Sequence, residues 1–367
     1  MVVGAGIFRS PSEIAAHAGS ATWFFAAWLA GGVITLMGAL CFAELATALP
    51  SAGGDYHFLK TAYGRRVAFL FAWARFAIIN TGTLALLGFV LGDYANKVMP
   101  LGPHGSSWYA LITVVAMTLF NLKGLYTAQG TDYAMTGLEV GGLLVVFAAG
   151  VLLVMHGAPP LVHDAPVAAG IPTGFGGLAA SKTPASDVIG LAFGSAAGLM
   201  TALAISMATL TSMNATIVVG ARTTYAAARD WPRLERLGRW NTDRGIPVAG
   251  IVSQGAVGVL LVGLGTYSRD GFATMIDYTS PVFWLFLSGS GFAVIVLRHK
   301  LPDLPRPFWV PFYPLLPLLF CGSCLFVLWS SVEYVRLGAM AGVAVLLLGG
   351  VVMWWLDRAP RTDIIAP

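Results

Sequence analysis

The sequence predicts an all-α polytopic membrane protein. Hydrophobic residues make up 57% of the 367-residue chain and charged residues only 10%, whereas soluble domains carry about 25% charge. The apolar residues form continuous runs of about 20 residues, which is the length that crosses a bilayer as a helix. Because the runs do not alternate between apolar and polar residues, they predict helices and not the strands of a membrane barrel. This composition excludes a soluble enzyme.

Nine full-length spans follow from these runs, and a half-span over residues 1–18 precedes them. The full spans cover residues 22–48, 67–95, 107–122, 130–155, 189–219, 248–265, 273–297, 311–331 and 337–356. Residues 156–188 contain five prolines and no apolar run of bilayer length. Because so long a loop without structure is uncommon in a compact domain, either the assignment of elements is wrong there or a segment is missing.

Lysine and arginine predict the orientation. If the 22–48 span ends in the cytoplasm, 15 of the 21 basic residues fall in inside loops and four in outside loops, while Arg9 and Arg75 lie in or beside spans. Cytoplasmic loops carry the excess of positive charge. We therefore predict a multi-pass protein of the plasma or inner membrane with a cytoplasmic C-terminus.

The segment Gly4-Ala5-Gly6-Ile7-Phe8 stands where a membrane helix would be at mid-depth. Adjacent glycines weaken a helix, and freed backbone groups are tolerated at that depth only beside a cavity or other protein. Two interpretations are open. In transporters, broken helices bind substrate through half-helix N-termini that face a carboxylate and unwound carbonyls that face a cation. The alternative is a glycine contact that lets two helices approach closely.

Four motifs occur in order along most of the chain. They are Gly4-Ala5-Gly6-Ile7-Phe8 with Pro11; Glu44-Leu45 with Pro50, Gly53-Gly54 and Tyr56; Asn214 with residues 222–232; and Leu297-Arg298 with residues 306–308 and Val310-Pro311. This ordered set resembles the amino acid–polyamine–organocation (APC) permease family. The motifs resemble that family's first helix, its second helix and first cytoplasmic loop, the end of its eighth helix, and the connection between its tenth and eleventh helices.

The resemblance implies twelve helices, with helices one to five repeated in inverted form as six to ten. Two parts of that fold are expected to be absent here: the first half of helix one, since the chain begins at the break, and helices six and seven. Residues 174–180 resemble the approach to helix six and residues 186–194 the loop before helix eight, so we place a deletion junction near 180–184. Helix six is the family's second broken helix, so half of the substrate cradle would be missing.

The expected architecture is therefore an incomplete inverted-repeat, five-plus-five helix transporter fold with two extra C-terminal helices. It forms a single membrane domain over residues 1–367. Its parts are the first repeat at 1–155, an extracytoplasmic loop with the junction at 156–188, the remnant of the second repeat at 189–297, and two helices with a cytoplasmic tail at 298–367.

Candidate substrate-binding groups fall into two sets. The resemblance implies backbone contacts from Gly4, Ala5, Gly6 and Ile7. The second set consists of polar side chains within spans, which could face a central cavity: Asn80, Thr81, Ser206, Thr209 and Asn214. The alternative for each of these side chains is an interhelical hydrogen bond, worth about 0.6 kcal/mol.

Glu139 lies within the 130–155 span, and a carboxylate at that depth is a candidate for proton coupling. Some relatives with such coupling carry a lysine near this position. Because glutamate has the opposite charge, it is doubtful that the coupling role carries over to Glu139. The alternative is a structural pair or a protonated, hydrogen-bonded carboxyl group. Glu44 and Arg75 lie near span ends, where snorkelling and a structural ion pair explain them. Glu44, Arg222, Arg229 and Asp230 are candidates for a cytoplasmic gate or loop.

The function predicted from these features is a secondary transporter for amino acids or related amines. It would be coupled to a proton or another cation, by symport or antiport, and would work by alternating access. No cofactor, metal or nucleic acid is expected, since the six histidines lack ligand spacing. No phosphate loop ends in Gly-Lys-Ser/Thr, so ATP is not expected to drive transport. The alternatives are a truncated or degenerate permease without transport activity and, with less support, a membrane-embedded enzyme.

Overall fold

A computed structural model of the chain describes residues 5–51, 53–124, 137, 141, 174–268, 270–335 and 337–358. In these ranges the regular secondary structure is helical, and the β pairing found there is an isolated bridge between Asn241 and Ile246. The α-helices, in chain order, are α1 (Ser10–Ala18), α2 (Ala21–Ala48), α3 (Asp55–Tyr63), α4 (Arg65–Ala74), α5 (Asn80–Val98), α6 (Gly105–Asn121), α7 (Gly174–Ala180), α8 (Pro184–Phe193), α9 (Ser195–Ala228), α10 (Val248–Thr266), α11 (Gly271–Lys300), α12 (Leu315–Val335) and α13 (Leu337–Asp357).

The described residues also include three other helical segments. A 3₁₀ turn covers Ala5–Phe8 ahead of α1, a π-helical segment covers Arg75–Ile79 between α4 and α5, and a 3₁₀ turn covers Pro232–Leu234 after α9. A π segment inserts an extra residue into a helix turn and is frequent at functional sites.

The prediction of an all-α polytopic membrane protein is confirmed. Within the described ranges, seven helices are long and apolar enough to cross a bilayer: Ala21–Ala48, Arg65–Val98, Ser195–Ala228, Val248–Thr266, Gly271–Lys300, Leu315–Tyr334 and Met340–Asp357. The predicted 107–122 span corresponds to α6, which has 17 residues and is shorter than these. The predicted 130–155 span lies outside the described residues.

The structure differs from the sequence prediction between residues 174 and 219. Residues 174–180 and 184–193 are helical, although residues up to 188 were assigned to a loop. The predicted 189–219 span is interrupted at Gly194 and continues as α9 to Ala228. Gly194 has φ +90°, which a residue with a Cβ rarely adopts. Apolar residues flank the break on both sides, so hydropathy alone does not reveal it.

Contacts divide the chain into two compact units. Unit one comprises Met1–Gly31, Leu84–Thr216 and Val259–Ala273, and unit two comprises Gly32–Thr83, Ile217–Gly258 and Thr274–Pro367.

Unit one combines close helix packing with buried polar contacts. A Cβ added at Gly92 in α5 would lie 2.1 Å from the carbonyl oxygen of Ser106 in α6, so these helices approach as closely as their backbones allow. Lys97 Nζ lies 2.5 Å from Asp187 Oδ1, and the Ser181 hydroxyl donates to the other oxygen of the same carboxylate.

The described residues of unit two form three buried apolar clusters. The largest is centred on Cys41, Leu45, Phe58, Leu297 and Phe320, and it includes Cys321 and Cys324. All three cysteines are unpaired and buried, so the Cys-x-x-Cys pair contributes to helix packing as the sequence predicts. The other clusters are built around Phe71 with Phe286, and around Phe69 with Trp231.

Candidate functional site

The first-helix motif forms a tight turn in unit one. Gly4 lies outside the described residues, and Ala5–Phe8 form the 3₁₀ turn. The Gly6 carbonyl accepts hydrogen bonds from Arg9 N at 3.0 Å and from Ser10 Oγ at 2.8 Å. The Phe8 carbonyl accepts the Tyr94 hydroxyl at 2.8 Å. These two carbonyls already accept protein donors, whereas the first N–H groups of a helix have no intrahelical partners.

Arg9 lies at the centre of a buried ion cluster in unit one that sequence reasoning missed. Its side chain is 3% exposed. Arg9 Nη2 lies 2.7 Å from Asp270 Oδ2 and 3.2 Å from Glu13 Oε1, and Arg9 Nε lies 4.0 Å from Asp93 Oδ2. Arg9 Nη1 donates to the Ser181 carbonyl at 2.8 Å. A guanidinium removed from water requires such compensation. Arginine in an apolar segment signals that partners exist, but not which carboxylates they are.

The two hydroxyl-bearing candidates on α9, Ser206 and Thr209, donate their hydroxyl hydrogens to backbone carbonyls of their own helix. Ser206 Oγ donates to the Ala202 carbonyl at 2.9 Å, and Thr209 Oγ1 donates to the Ile205 carbonyl at 2.7 Å. Thr209 and Asn214 are buried, and Ser206 is partly exposed. The Ser206 and Thr209 hydroxyl hydrogens are therefore used within the helix and not in interhelical hydrogen bonds. Each hydroxyl oxygen still has a lone pair with which it could accept a further hydrogen bond.

Asn80 and Thr81 follow the π segment in unit two, and both are buried. The Asn80 backbone N–H bonds to the Arg75 carbonyl across the π turn, and Arg75 Nε lies 3.4 Å from Asn80 Oδ1. Asn80 Nδ2 and Thr81 Oγ1 have no hydrogen-bond partner among the described residues. A buried polar atom without a partner costs about 1–3 kcal/mol, so each of these two atoms could make a hydrogen bond that the described residues do not supply.

Arg75 also pairs with Asp55, at the start of α3. Arg75 Nη1 lies 3.0 Å from Asp55 Oδ2, and both side chains are about one-quarter exposed. Burial raises the pKa of the Asp55 carboxyl above its ordinary value of 3.8, and the charge and hydrogen bond of Arg75 oppose this increase. Arg75 is thus held in a structural ion pair, which is one of the two explanations proposed above for a charged residue near a span end.

Glu44 joins two of the sequence motifs. Its carboxylate accepts Arg298 Nε at 2.8 Å, Arg298 Nη2 at 2.6 Å and the Val310 N–H at 2.7 Å. Arg306 Nε lies 3.5 Å from the same carboxylate, and the side chains of Glu44 and Arg306 are each 3% exposed. Glu44 therefore does not snorkel. It connects α2 to α11 and to the segment after α11, which is a structural role in the second- and tenth-helix motifs.

Asp230 joins the two remaining motif segments of unit two. Tyr56 in α3 donates its hydroxyl to Asp230 Oδ2 at 2.5 Å, and Lys60 Nζ lies 2.8 Å from Oδ1. Arg65 donates to the Asp230 carbonyl at 3.3 Å and stacks over the Trp231 ring at 4.0 Å. The first-loop motif is in this way attached to the end of α9.

A cavity of about 650 Å³, here called the Asp230 cavity, opens beside these residues. Lys60, Arg222, Arg229 and Asp230 line it, together with the aromatic rings of Tyr225 and Trp240. Three of the predicted gate residues, Arg222, Arg229 and Asp230, therefore line one cavity in unit two. Glu139 lies outside the described residues.

A polytopic helical fold in which charged side chains are paired with one another fits a membrane transporter. A family profile described as "Amino acid permease" matches residues 1–189 and 167–353. The chain therefore belongs to the amino acid permease family, within the APC superfamily that its motifs resemble.

Three relatives illustrate the similarity. The large neutral amino acids transporter small subunit 2 of Rattus norvegicus is 24% identical over 431 residues, covering 97% of this chain and 79% of the relative. The b(0,+)-type amino acid transporter 1 of Mus musculus is 22% identical, covering 97% and 84%. The cystine/glutamate transporter of Homo sapiens is 23% identical, covering 98% and 84%. These relatives are transporters, and this chain is a permease-type protein and not an enzyme.

Proposed function

We propose that the chain is a secondary transporter for amino acids or related amines. The observation that carries the proposal is the match of the amino acid permease profile along most of the chain, together with similarity over about the whole chain to proteins named as amino acid transporters. Transport would be coupled to a proton or another cation and would proceed by alternating access. The coupling role of Glu139 remains part of this proposal.

The backbone of the first-helix motif is proposed to hold the charged ends of the substrate. In Ala5–Phe8, the Gly6 and Phe8 carbonyls already accept protein donors, so the N–H groups at the start of the turn are the better partners for a carboxylate. The positive end of a helix dipole also favours an anion there. Gly4 and Ala5 remain candidates for the carbonyl contacts to an ammonium group.

The polar side chains are proposed as substrate contacts on separate grounds. Asn80 Nδ2 and Thr81 Oγ1 are buried without partners among the described residues. Ser206 and Thr209 use their hydroxyl hydrogens within α9, so each would contribute only an acceptor oxygen. Asn214 is buried and offers an amide that both donates and accepts.

The orientation is part of the same proposal. The distribution of lysine and arginine favours a cytoplasmic C-terminus in a plasma or inner membrane. In that orientation the loop after α9, which carries Asp230, is cytoplasmic.

A second candidate is a degenerate permease without transport activity, and specific observations favour it. The alignment to the first relative runs over 431 residues, whereas this chain has 367. The relative therefore has at least 64 positions without a counterpart here, the difference between those lengths. A span needs about 20 residues, so this number suits two absent helices and their connections. The profile also matches in two segments that overlap at residues 167–189, close to the predicted junction.

Uptake into proteoliposomes tests the proposal. The purified chain would be reconstituted and offered a mixture of radiolabelled amino acids, with an imposed pH gradient, with a sodium gradient, with internal ATP alone, or with no driving force. Gradient-dependent accumulation supports the secondary transporter. Uptake that requires ATP and ignores both gradients refutes the mechanism. If correctly folded, reconstituted protein accumulates nothing under any condition, the degenerate permease is the better account.

A further inference from the structure

The Asp230 cavity has an unbalanced positive charge. Among its lining residues are three cationic side chains, Lys60, Arg222 and Arg229, and one carboxylate, Asp230. That carboxylate is already engaged, with Lys60 Nζ 2.7 Å from Oδ2 and the Tyr56 hydroxyl 2.5 Å from the same oxygen. Among the described residues, Arg222 and Arg229 have no carboxylate within 4.0 Å. Two guanidinium groups therefore border one cavity without a counter-ion from the described part of the chain.

Arg222 lies in the last two turns of α9, and Arg229 directly follows the helix, with its N–H still bonded to the Tyr225 carbonyl at 3.2 Å. Arg222 and Arg229 are seven positions apart, and Tyr225 and Ala226 between them also line the cavity. Residues spaced by three, four and seven positions share a helix face. Arg229 lies over the Tyr225 ring at 5.9 Å, and that ring meets Trp240 edge-on at 5.1 Å. Tyr225 and Trp240 therefore form an aromatic pair in the cavity lining, and Arg229 contacts that pair through the Tyr225 ring.

We propose that the Asp230 cavity binds a phosphate-bearing anion, with Arg222 and Arg229 as its charged ligands. The planar fork of a guanidinium donates two parallel hydrogen bonds to phosphate oxygens, and a dianionic phosphate would balance an excess of two positive charges. His57 also lines the cavity and could donate a further hydrogen bond. The volume, about 650 Å³, lies in the range of small-ligand sites, about 300–1,000 Å³.

This site goes beyond the proposed transport function. A zwitterionic amino acid has no net charge and would leave the excess uncompensated. The phosphate group could belong to a phospholipid head group, where the phosphodiester carries a single negative charge, or to a soluble phosphate compound that carries up to two. Both sources present phosphate oxygens to the two arginines.

Thermal unfolding of the whole chain in lipid nanodiscs tests the proposal. One arm titrates inorganic phosphate into phosphatidylcholine nanodiscs, against chloride at equal ionic strength. The other arm replaces a fraction of the phosphatidylcholine with phosphatidylglycerol. The test variant is Arg222→Gln/Arg229→Gln. Its matched control is Arg236→Gln/Arg239→Gln, which removes two charges from the neighbouring loop and no residue that lines the cavity.

Binding to the folded state raises the unfolding temperature in a saturable way. We expect saturable stabilisation of the wild type and the control, and a half-saturating concentration about tenfold or more higher for the test variant. Stabilisation by inorganic phosphate identifies a soluble ligand class, and stabilisation by phosphatidylglycerol alone identifies a lipid head group. The proposal is overturned if the wild type responds to neither probe, or if both double variants respond equally. Because the wild-type result can refute it alone, the test does not depend on the variant folding.

Discussion

Replacing Glu44 with glutamine tests whether a buried carboxylate holds three segments of unit two together. The carboxylate receives two N–H groups of Arg298 and the Val310 backbone N–H at 2.6–2.8 Å, and Arg306 Nε lies 3.5 Å away. A glutamine side chain has nearly the same shape but no charge, and one of its terminal groups is a donor that faces other donors. The Glu44→Gln variant would leave two buried guanidinium groups without their counter-ion.

The magnitude follows from the burial of the cluster. Each hydrogen bond to a charged group contributes about 1.5–3 kcal/mol, but three such bonds on one carboxylate are not additive. Arg298 also stacks over Tyr313 at 3.9 Å and Trp309 at 4.8 Å, and these contacts remain in the variant. Removing one partner of a buried ion pair costs about 3–5 kcal/mol. We expect the free energy of unfolding to fall by about 3–5 kcal/mol in Glu44→Gln.

The assay is reversible unfolding in mixed detergent micelles, read by tryptophan fluorescence, on a double-mutant cycle of Glu44→Gln and Arg298→Gln. Each single variant should lower the free energy of unfolding by about 3–5 kcal/mol. The double variant should lower it by little more than either single variant does. The control is the same cycle on Glu235 and Arg239, which pair at 2.7 Å with both side chains more than 70% exposed. Exposed pairs couple weakly. If the coupling of Glu44 with Arg298 is no larger than the control, the reasoning is wrong.

Three further predictions concern single positions. Among the described residues, a Cβ at Gly6 meets nothing within 4 Å, so Gly6→Ala should fold normally yet reduce uptake by about tenfold if the backbone there must approach the substrate. A Cβ at Gly31 likewise meets no described atom within 4 Å, so Gly31→Ala should transport normally, and equal uptake by both variants contradicts the assignment. Burial raises the pKa of Asp55 above 3.8, so the stability of the wild type relative to Asp55→Asn should be greatest below pH 3.8 and should fall as pH rises through the folded-state pKa. The prediction is refuted if the difference in unfolding free energy between the two proteins stays flat or increases between about pH 4 and pH 8. A Cβ at Gly92 would lie 2.1 Å from the Ser106 carbonyl oxygen, so Gly92→Ala should lower the unfolding free energy by about 1–3 kcal/mol or more, and unchanged stability would show that the helices separate easily.

Helix positions were largely predictable because the apolar run that crosses a bilayer is itself the signal. The predicted spans at 22–48, 248–265 and 273–297 correspond to α2, α10 and α11. The break at Gly194 was not predictable from hydropathy, since it depends on the φ angle of one residue within an apolar stretch. The π segment at Arg75–Ile79 was missed for a similar reason. An extra residue in one turn changes the backbone hydrogen bonds but not the composition of the run.

The ion pairs of the candidate site were the least predictable feature. Glu44 and Arg298 are 254 positions apart, and Lys60 and Asp230 are 170 apart. With 21 basic and 17 acidic residues in the chain, composition allows many pairings, and no short-range rule selects among them. Burial of a charge predicts that it has a partner, but only the packing of the helices determines which one. The Arg9 cluster was overlooked for this reason, although an arginine beside an apolar span was a visible signal.

The contacts made by the motif residues support the assignment of the chain to its family, but they do not show whether the chain transports a substrate. Glu44, Tyr56, Asp230 and Arg298 are the residues by which the chain resembles permeases, and in unit two they fasten helices and loops to one another. A degenerate permease that still has to fold would need them as much as an active one does. Their presence therefore supports the fold more strongly than it supports transport. The atoms that remain for a substrate are of another kind: N–H groups of the first turn, and the buried polar atoms of residues such as Asn80 that lack protein partners. Because these groups contribute little to holding the fold, a change in uptake with unchanged stability would report on activity itself.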